Sequence, residues 1–269
     1  MDFLKDLLVG GMAGVISRTA TAPLELYKIQ LQSSYLKESN MKNVIKKEGI
    51  RYMWKGNFAN CLRVFPQFAI NYGTYNKCKR DIFYYIQDDK IKNFISGGIA
   101  GIVAMTAVYP LETIRTRLAL QMNKSHYTSP LNVFKKLTIP ELYGGLKISL
   151  LGFGPFNALN FMFYNMYLDY LNKYLKEEMI TSKLLAGGFS GISSLTITYP
   201  TDLLRRRFQM EGFNSKTPKY NGIIDGFKRI IEKEGIGGLY KGLSVSYIRI
   251  FPCLAIQFWC METGKSILK

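Results

Sequence analysis

Three carboxylates and three cations recur in this sequence at one spacing. Glu25 and Lys28, Glu112 and Arg115, and Asp202 and Arg205 each read acid-x-x-base, two residues after Pro23, Pro110 and Pro200. Within one helix such an i,i+3 pair contributes only a few tenths of a kcal/mol (about 0.2–0.5). Shared between helices, the six charges do more. Three helix ends, each bent inward by its proline, close a ring of ion pairs expected to run Glu25–Arg115, Glu112–Arg205 and Asp202–Lys28. Removing one partner would leave an uncompensated charge, so the ring suits a gate.

Three more cations, Arg18, Arg63 and Arg249, stand in the middle of apolar segments. Arg63 and Arg249 each precede a proline, Pro66 and Pro252, by three residues, and the third counterpart is Gly152, followed by Phe153. Few acids lie at their level, so the three guanidiniums are expected unpaired around a water-filled cavity, where they can grip phosphate bidentately. Gly152 and Phe153 would leave a flat apolar recess for a base. Asn71, Asn160 and Gln257, each five residues after an even-helix proline, would add polar contacts.

Other chemistry finds little support. Cys61, Cys78, Cys253 and Cys260 show no CxxC spacing, and His126 is the only histidine. Neither a metal site, a cofactor site nor a nucleophile–base pair is implied, so an enzyme is not expected. The formal charge of +17 admits nucleic acid, anionic lipid or an anionic substrate. Nucleic acid is the weakest of these, because the basic residues are interleaved with long apolar runs.

Those runs set the architecture. Ile148 to Leu168 is 21 residues without a charge, and Leu184 to Thr201 another 18. About 17–25 apolar residues cross a hydrocarbon core of about 30 Å, so an all-α membrane protein is expected. No signal or transit peptide is read at Met1, so any organelle address would be internal.

The chain is also a threefold repeat. "LLVGGMAGVISRTATAPLELYKIQLQ", "FISGGIAGIVAMTAVYPLETIRTRLA" and "LLAGGFSGISSLTITYPTDLLRRRFQ" align without a gap over 26 positions. "EGIRYMWKGNFANCLRVFP" and "EGIGGLYKGLSVSYIRIFP" match in the same way, while the middle copy keeps Pro155 but loses the EG and the lysine. Repeats are expected at 1–88, 89–177 and 178–269. Each holds two membrane-length helices joined by a polar loop with a short amphipathic helix. The odd helices are expected at about 3–32, 91–121 and 180–210, and the even ones at about 56–85, 145–174 and 242–267. Six transmembrane helices in three parallel repeats put a site on a pseudo-threefold axis. The spacings Gly10/Gly14, Gly97/Gly101 and Gly187/Gly191 read as close helix packing.

The triple Pro-x-[Asp/Glu]-x-x-[Lys/Arg] motif, with EG-x4-aromatic-Lys-Gly in two repeats, resembles the mitochondrial carrier family over essentially the whole chain. The resemblance implies alternating access across the mitochondrial inner membrane, or that of a mitochondrion-derived organelle, by a multi-pass monomer. It places the ion-pair ring on the matrix side, with the short amphipathic helices. It also implies glutamine braces at Gln32 and Gln209. The third brace position is Ala119, which marks the seam where that gate is expected to be loosest.

A cytoplasmic gate is implied at Asn76 and Lys79, at Asn165, and at Glu262 and Lys265. Two of its acids are amides here, so a weak gate and a resting state open to the cytoplasm are expected. Helix starts at Trp54/Gly56, Tyr220/Gly222 and Tyr240/Gly242 resemble cardiolipin contacts, with a tight helix start as the alternative. Arg18, Arg63, Arg249 and the Gly-apolar pair resemble adenine-nucleotide-type members. ADP against ATP is the expected exchange. "RRRFQM", Arg205 to Met210, departs from the ADP/ATP signature and is closer to carriers of ATP-Mg/phosphate or coenzyme A. A transport-inactive membrane binding or structural protein is the reading from a different class.

Overall fold

The computed structural model of the chain describes residues 2–33, 45–46, 48–82, 85, 88–121, 127, 129–175, 180–213 and 218–267. The described residues hold helices and no strand. His126 lies outside them, as does the side chain of Lys265.

Proline placement sets how each long helix bends. In the first repeat, α1 (Asp2–Ala20) and α2 (Ala22–Gln32) are separated at Thr21, two residues before Pro23. The return path breaks at Arg63 into α3 (Asn57–Leu62) and α4 (Val64–Lys77), just ahead of Pro66, and ends in a π-turn over Cys78–Ile82. The other long helices keep their prolines inside: α5 (Asp89–Leu120), α8 (Leu146–Leu175), α9 (Ile180–Gln209) and α11 (Leu243–Ile267). Short helices α6 (Pro130–Lys136), α7 (Ile139–Leu142) and α10 (Ile223–Glu234) lie in the connections. Turns of 3-10 helix over Ile50–Trp54 and Ile236–Tyr240 lead into α3 and α11.

Packing closes these helices into a ring: α1 on α3 and α4, these on α5, then α8, α9 and α11, which returns to α1. The glycine spacings let the helices approach. Val64, Phe153 and Ile250 occupy equivalent positions on the even helices and press on Gly14, Gly101 and Gly191. A β-carbon at Gly101 would stand 2.4 Å from the Phe153 ring. Phe65 and Phe251 do the same one turn away, where a β-carbon on Gly11 or Gly188 would meet the ring at 2.3 or 2.2 Å.

A second set of glycines starts the even helices. Gly56, Gly145 and Gly242 have φ of 81°, 80° and 86°, a left-handed region that other residues enter at a cost. A β-carbon there would also lie 2.9 Å from the Arg115 carbonyl, 2.9 Å from that of Arg205 and 3.3 Å from that of Lys28. The tight helix start thus accounts for these positions through both conformation and space.

Two helical stretches, Ile91–Leu120 and Ile236–Gly264, are long and apolar enough to cross a membrane by themselves. Only 33% and 11% of their most apolar windows are buried inside the protein, so most of each apolar window faces outward. The other long helices are shorter of apolar character: α8 carries Asn157, Asn160 and Asn165 along its uncharged run, and α1–α2 is divided and carries Arg18, Glu25 and Lys28.

Candidate functional site

At the proline end, the odd helices converge and close the ring. Lys28 Nζ lies 2.8 Å from Asp202 Oδ2, Arg115 Nη2 lies 3.2 Å from Glu25 Oε1, and Arg205 pairs with Glu112. All three expected inter-helix pairs are therefore present. Above them opens a cavity of about 370 Å³.

The floor is deeper than the motif shows. Tyr109 and Tyr199, each just before a proline, are fully buried and lie beneath Arg205 and Lys28 at 5.9 and 5.5 Å from the ring centroids. Their hydroxyls donate to Gly144 O and Lys241 O at 2.9 Å each, tying the floor to the turns that start α8 and α11. Gln32 Nε2 donates to Asp202 Oδ2 at 3.2 Å and to Tyr199 at 3.1 Å. Gln209 donates to the Tyr109 hydroxyl at 3.2 Å, and its Oε1 accepts from Thr116 at 2.9 Å.

Arg206 is the floor residue that sequence reasoning missed. Its Nη2 lies 3.3 Å from Glu112 Oε1 and 3.7 Å from Glu25 Oε1, and Nη1 donates to Thr116 and Gln209 at 2.8 and 3.1 Å. It stands one residue past the motif, where the other repeats carry Ile29 and Thr116, so periodicity gave no signal for it. Its position corrects the expectation of a loose seam at Ala119. The Glu25–Arg115 pair lacks a glutamine brace, but Arg206 supplies a second cation to the same carboxylate oxygen.

One turn further along lies a second layer. Arg207 Nε donates to Gln32 O at 3.4 Å, and Arg117 Nε donates to Gln209 O at 3.2 Å, each capping the C-terminal end of a neighbouring repeat's helix. Cations at helix C-termini are favourable there. The third equivalent is Gln30, and Ala119 O receives the Tyr52 hydroxyl at 3.3 Å instead. Arg207 also grips Glu234, the glutamate of the third repeat's EG motif, through two bonds of 2.6 and 2.8 Å.

The cavity arginines correct a second expectation. Arg63 Nη1 lies 2.7 Å from Glu112 Oε2, and Arg249 Nε lies 3.1 Å from Glu25 Oε2, an ion pair without hydrogen-bond alignment. Both reach down to the floor carboxylates instead of standing unpaired. The flexible arginine stem spans the turn that separates wall from floor. Among the described residues Arg18 has no carboxylate within ion-pair distance, and its Nη1 makes two long contacts of 3.5 Å to Asn60.

The lining is two-sided. Its wall arginines come from α1, the α3–α4 junction and α11, while its apolar members, Met105, Ile148, Phe153, Phe156 and Leu195, come from α5, α8 and α9. Seven cationic side chains and three carboxylates face the space, a surplus of four positive charges. Gly152 and Phe153 line it, but the Phe153 ring is a packing knob against Gly101 and not a free stacking face. Asn71, Asn160 and Gln257 lie outside the lining set, on the far side of the even-helix prolines, so the structure does not bring them to this cavity.

At the opposite end, no ion pair joins Asn76, Lys79, Asn165 or Glu262 among the described residues. Trp54 Nε1 donates to Thr19 O at 2.9 Å, Tyr240 stacks on Tyr199 at 6.3 Å, and Tyr220 packs on Phe208 at 5.4 Å. Gly222 has φ 137° and nothing within 4 Å of where a β-carbon would stand.

A sequence model of the mitochondrial carrier protein family matches residues 1–85, 87–175 and 176–269, one match for each structural repeat. The chain belongs to the mitochondrial carrier family. It is accordingly a transporter and not an enzyme, a multi-pass protein of the mitochondrial inner membrane. The carrier is 34% identical to a mitochondrial adenine nucleotide transporter of Arabidopsis thaliana over 98% of this chain and 87% of the relative. It is 34% identical to mitochondrial substrate carrier family protein P of Dictyostelium discoideum, over 96% of this chain and 92% of that one. A mitochondrial adenyl nucleotide antiporter of Homo sapiens is 31% identical over 98% of this chain, which spans 58% of that protein's length.

Proposed function

We propose that this carrier is an adenine-nucleotide antiporter, exchanging ADP and ATP by alternating access through six membrane-spanning helices. The observation that carries this reading is the two-sided wall of the cavity, with Arg18, Arg63 and Arg249 on one half and apolar side chains on the other, above a charged floor that brings the surplus to four positive charges. A nucleotide has the same two ends. Phosphate oxygens suit arginine forks, and a purine suits an apolar wall. The names of two relatives, an adenine nucleotide transporter and an adenyl nucleotide antiporter, support the same class.

In this reading the Glu25, Lys28, Glu112, Arg115, Asp202 and Arg205 ring is the closed matrix gate, with Gln32 and Gln209 as its braces. The opposite end, where no ion pair joins Asn76, Lys79, Asn165 or Glu262 among the described residues, is read as the open cytoplasmic mouth, to which Lys265 also belongs. Arg63 and Arg249 hold gate carboxylates in the empty carrier, so an entering polyphosphate competes for them and releases Glu112 and Glu25. This gives substrate binding a direct effect on the gate, and ties gate opening to a bound anion, as exchange requires. Cardiolipin at the Gly56, Gly222 and Gly242 helix starts and a monomeric carrier belong to the same proposal.

Coenzyme A is the second reading, because it too joins an adenosine to several phosphates; an ATP-Mg/phosphate carrier is the third. The purified carrier in liposomes, offered labelled ATP, ADP, coenzyme A and phosphate, separates them. Counter-exchange of ATP with ADP supports the proposal; exchange of coenzyme A alone, or phosphate against ATP-Mg alone, moves it to the alternatives. No counter-exchange of any of the four would mean a binding or structural protein.

A further inference from the structure

The three gate carboxylates are not treated alike. Glu112 gives one oxygen to the floor cations and the other to Arg63, and Glu25 gives one to the floor cations and the other to Arg249. By the same symmetry Asp202 should receive an arginine from α8, but that position is Gly152, whose β-carbon would stand 2.7 Å from Thr201 Oγ1. Asp202 spends Oδ2 on Lys28 and Gln32, and Oδ1 is left without a partner among the described residues. Its side chain is 21% exposed, against 10% for Glu25 and 5% for Glu112.

The neighbouring hydroxyls reinforce this corner. Thr198 Oγ1 donates to Ser194 O at 2.8 Å, and Thr201 Oγ1 donates to Thr198 O at 2.7 Å. With their protons directed into the helix backbone, both can only accept from the cavity. Asp202 Oδ1, Thr198 and Thr201 therefore offer acceptors beside the Lys28 ammonium, in a cavity that Leu195, Phe153 and Phe156 line from α8 and α9.

We propose that Asp202, through its free Oδ1, is a specificity residue that accepts a hydrogen bond from the exocyclic amino group of the base. The inference rests on the nucleotide reading above. A nucleotide held by its phosphates on the arginine half turns its base, not its ribose, towards this corner, and adenine presents N–H there where hypoxanthine presents an oxygen. A divalent cation is the poorer occupant: Asp202 is already paired with Lys28, and the cavity carries a surplus of four positive charges.

The test is exchange of ATP against ITP, each with and without Mg²⁺, by wild type, Asp202→Asn and Lys28→Gln in liposomes. Wild type is expected to prefer ATP by about 10- to 100-fold, the discrimination of one charge-assisted hydrogen bond. Asp202→Asn should collapse that ratio, because an amide can serve a 6-oxo base. Lys28→Gln breaks the same gate pair but keeps the carboxylate, so it should slow both nucleotides and leave the ratio standing. A ratio that survives Asp202→Asn, or falls equally in Lys28→Gln, overturns the proposal; so does a variant effect on Mg²⁺ dependence without one on the base ratio. If a variant is too slow to assay, the protection against thermal unfolding that ATP and ITP give in detergent supplies the same ratio. A wild type that neither moves nor is protected by either nucleotide contradicts the nucleotide reading itself. Equal handling of ATP and ITP by the wild type contradicts only the role of Asp202.

Discussion

Arg63 donates to Glu112 across 2.7 Å, so a residue of the cavity wall holds a carboxylate of the cavity floor. A side chain of the proposed substrate site is thereby also part of what holds the floor closed. Arg249 repeats the relationship with Glu25 at 3.1 Å.

Arg63→Ala and Arg249→Ala should each lower nucleotide exchange at least about 100-fold, the loss of one charge-assisted, desolvated contact or more. Both variants should still fold. Each should also lower the thermal stability of the empty carrier in detergent, because Glu112 or Glu25 loses a partner. Full exchange with unchanged stability would remove the arginine from both roles.

Arg206→Ala should destabilise the closed floor more than Arg205→Lys. It takes a cation from two carboxylates at once, leaves Thr116 Oγ1 without the donor it accepts from, and removes one of the two donors to Gln209 Oε1. Breaking a buried ion pair costs about 3–5 kcal/mol, which a thermal-unfolding series on the two variants would register. An Arg206→Ala carrier as stable as wild type would contradict its place as the bridge between Glu25 and Glu112.

Gly56→Ala and Gly242→Ala should each destabilise the carrier by more than about 1 kcal/mol, since alanine is strained at positive φ. Their φ values are 81° and 86°, with carbonyls of Arg115 and Lys28 at 2.9 and 3.3 Å from the added carbon. Gly222→Ala, at φ 137°, bears the backbone strain alone and meets no such neighbour, so its loss should be the smaller one. Unfolding in cardiolipin-free detergent isolates this backbone effect from any lipid effect, and Gly56→Ala and Gly242→Ala carriers as stable as the wild type would refute it.

Much of this architecture is legible in the sequence because a threefold repeat fixes it. Pro23, Pro110 and Pro200 locate three equivalent helix ends, and i,i+3 spacing puts an acid and a base on each, so the inter-helix pairing follows from closing a ring. Arg206 was not legible, since it is a single-repeat departure and its worth lies in contacts that cross from α9 to α2 and α5. The partners of Arg63 and Arg249 were hidden for a related reason. Sequence places them three residues before Pro66 and Pro252 in apolar segments with few acids nearby, but only the structure shows their long side chains reaching Glu112 and Glu25 on other helices. Asn71, Asn160 and Gln257 share a helical register with the cavity residues, yet fall beyond the even-helix prolines and outside its lining. The loose corner moved too: a missing glutamine at Ala119 is compensated by Arg206, whereas Gly152, read as a recess, is what leaves Asp202 Oδ1 free.

Exchange should weaken as ionic strength rises, because a cavity with four surplus positive charges draws its anion in electrostatically. Initial rates at sub-saturating ATP in about 0.05 M and about 0.5 M salt, spanning a severalfold change in Debye length, check this. A rate independent of salt would mean that the surplus charge plays no part in capture.

The most direct test of the central claim is uptake of labelled ATP into liposomes that carry the purified protein and are either loaded with ADP or empty. The two-sided cavity, with its proposed gate held by the proposed substrate arginines, predicts rapid uptake into ADP-loaded vesicles and almost none into empty ones. Equal uptake into both, or none into either, would contradict it.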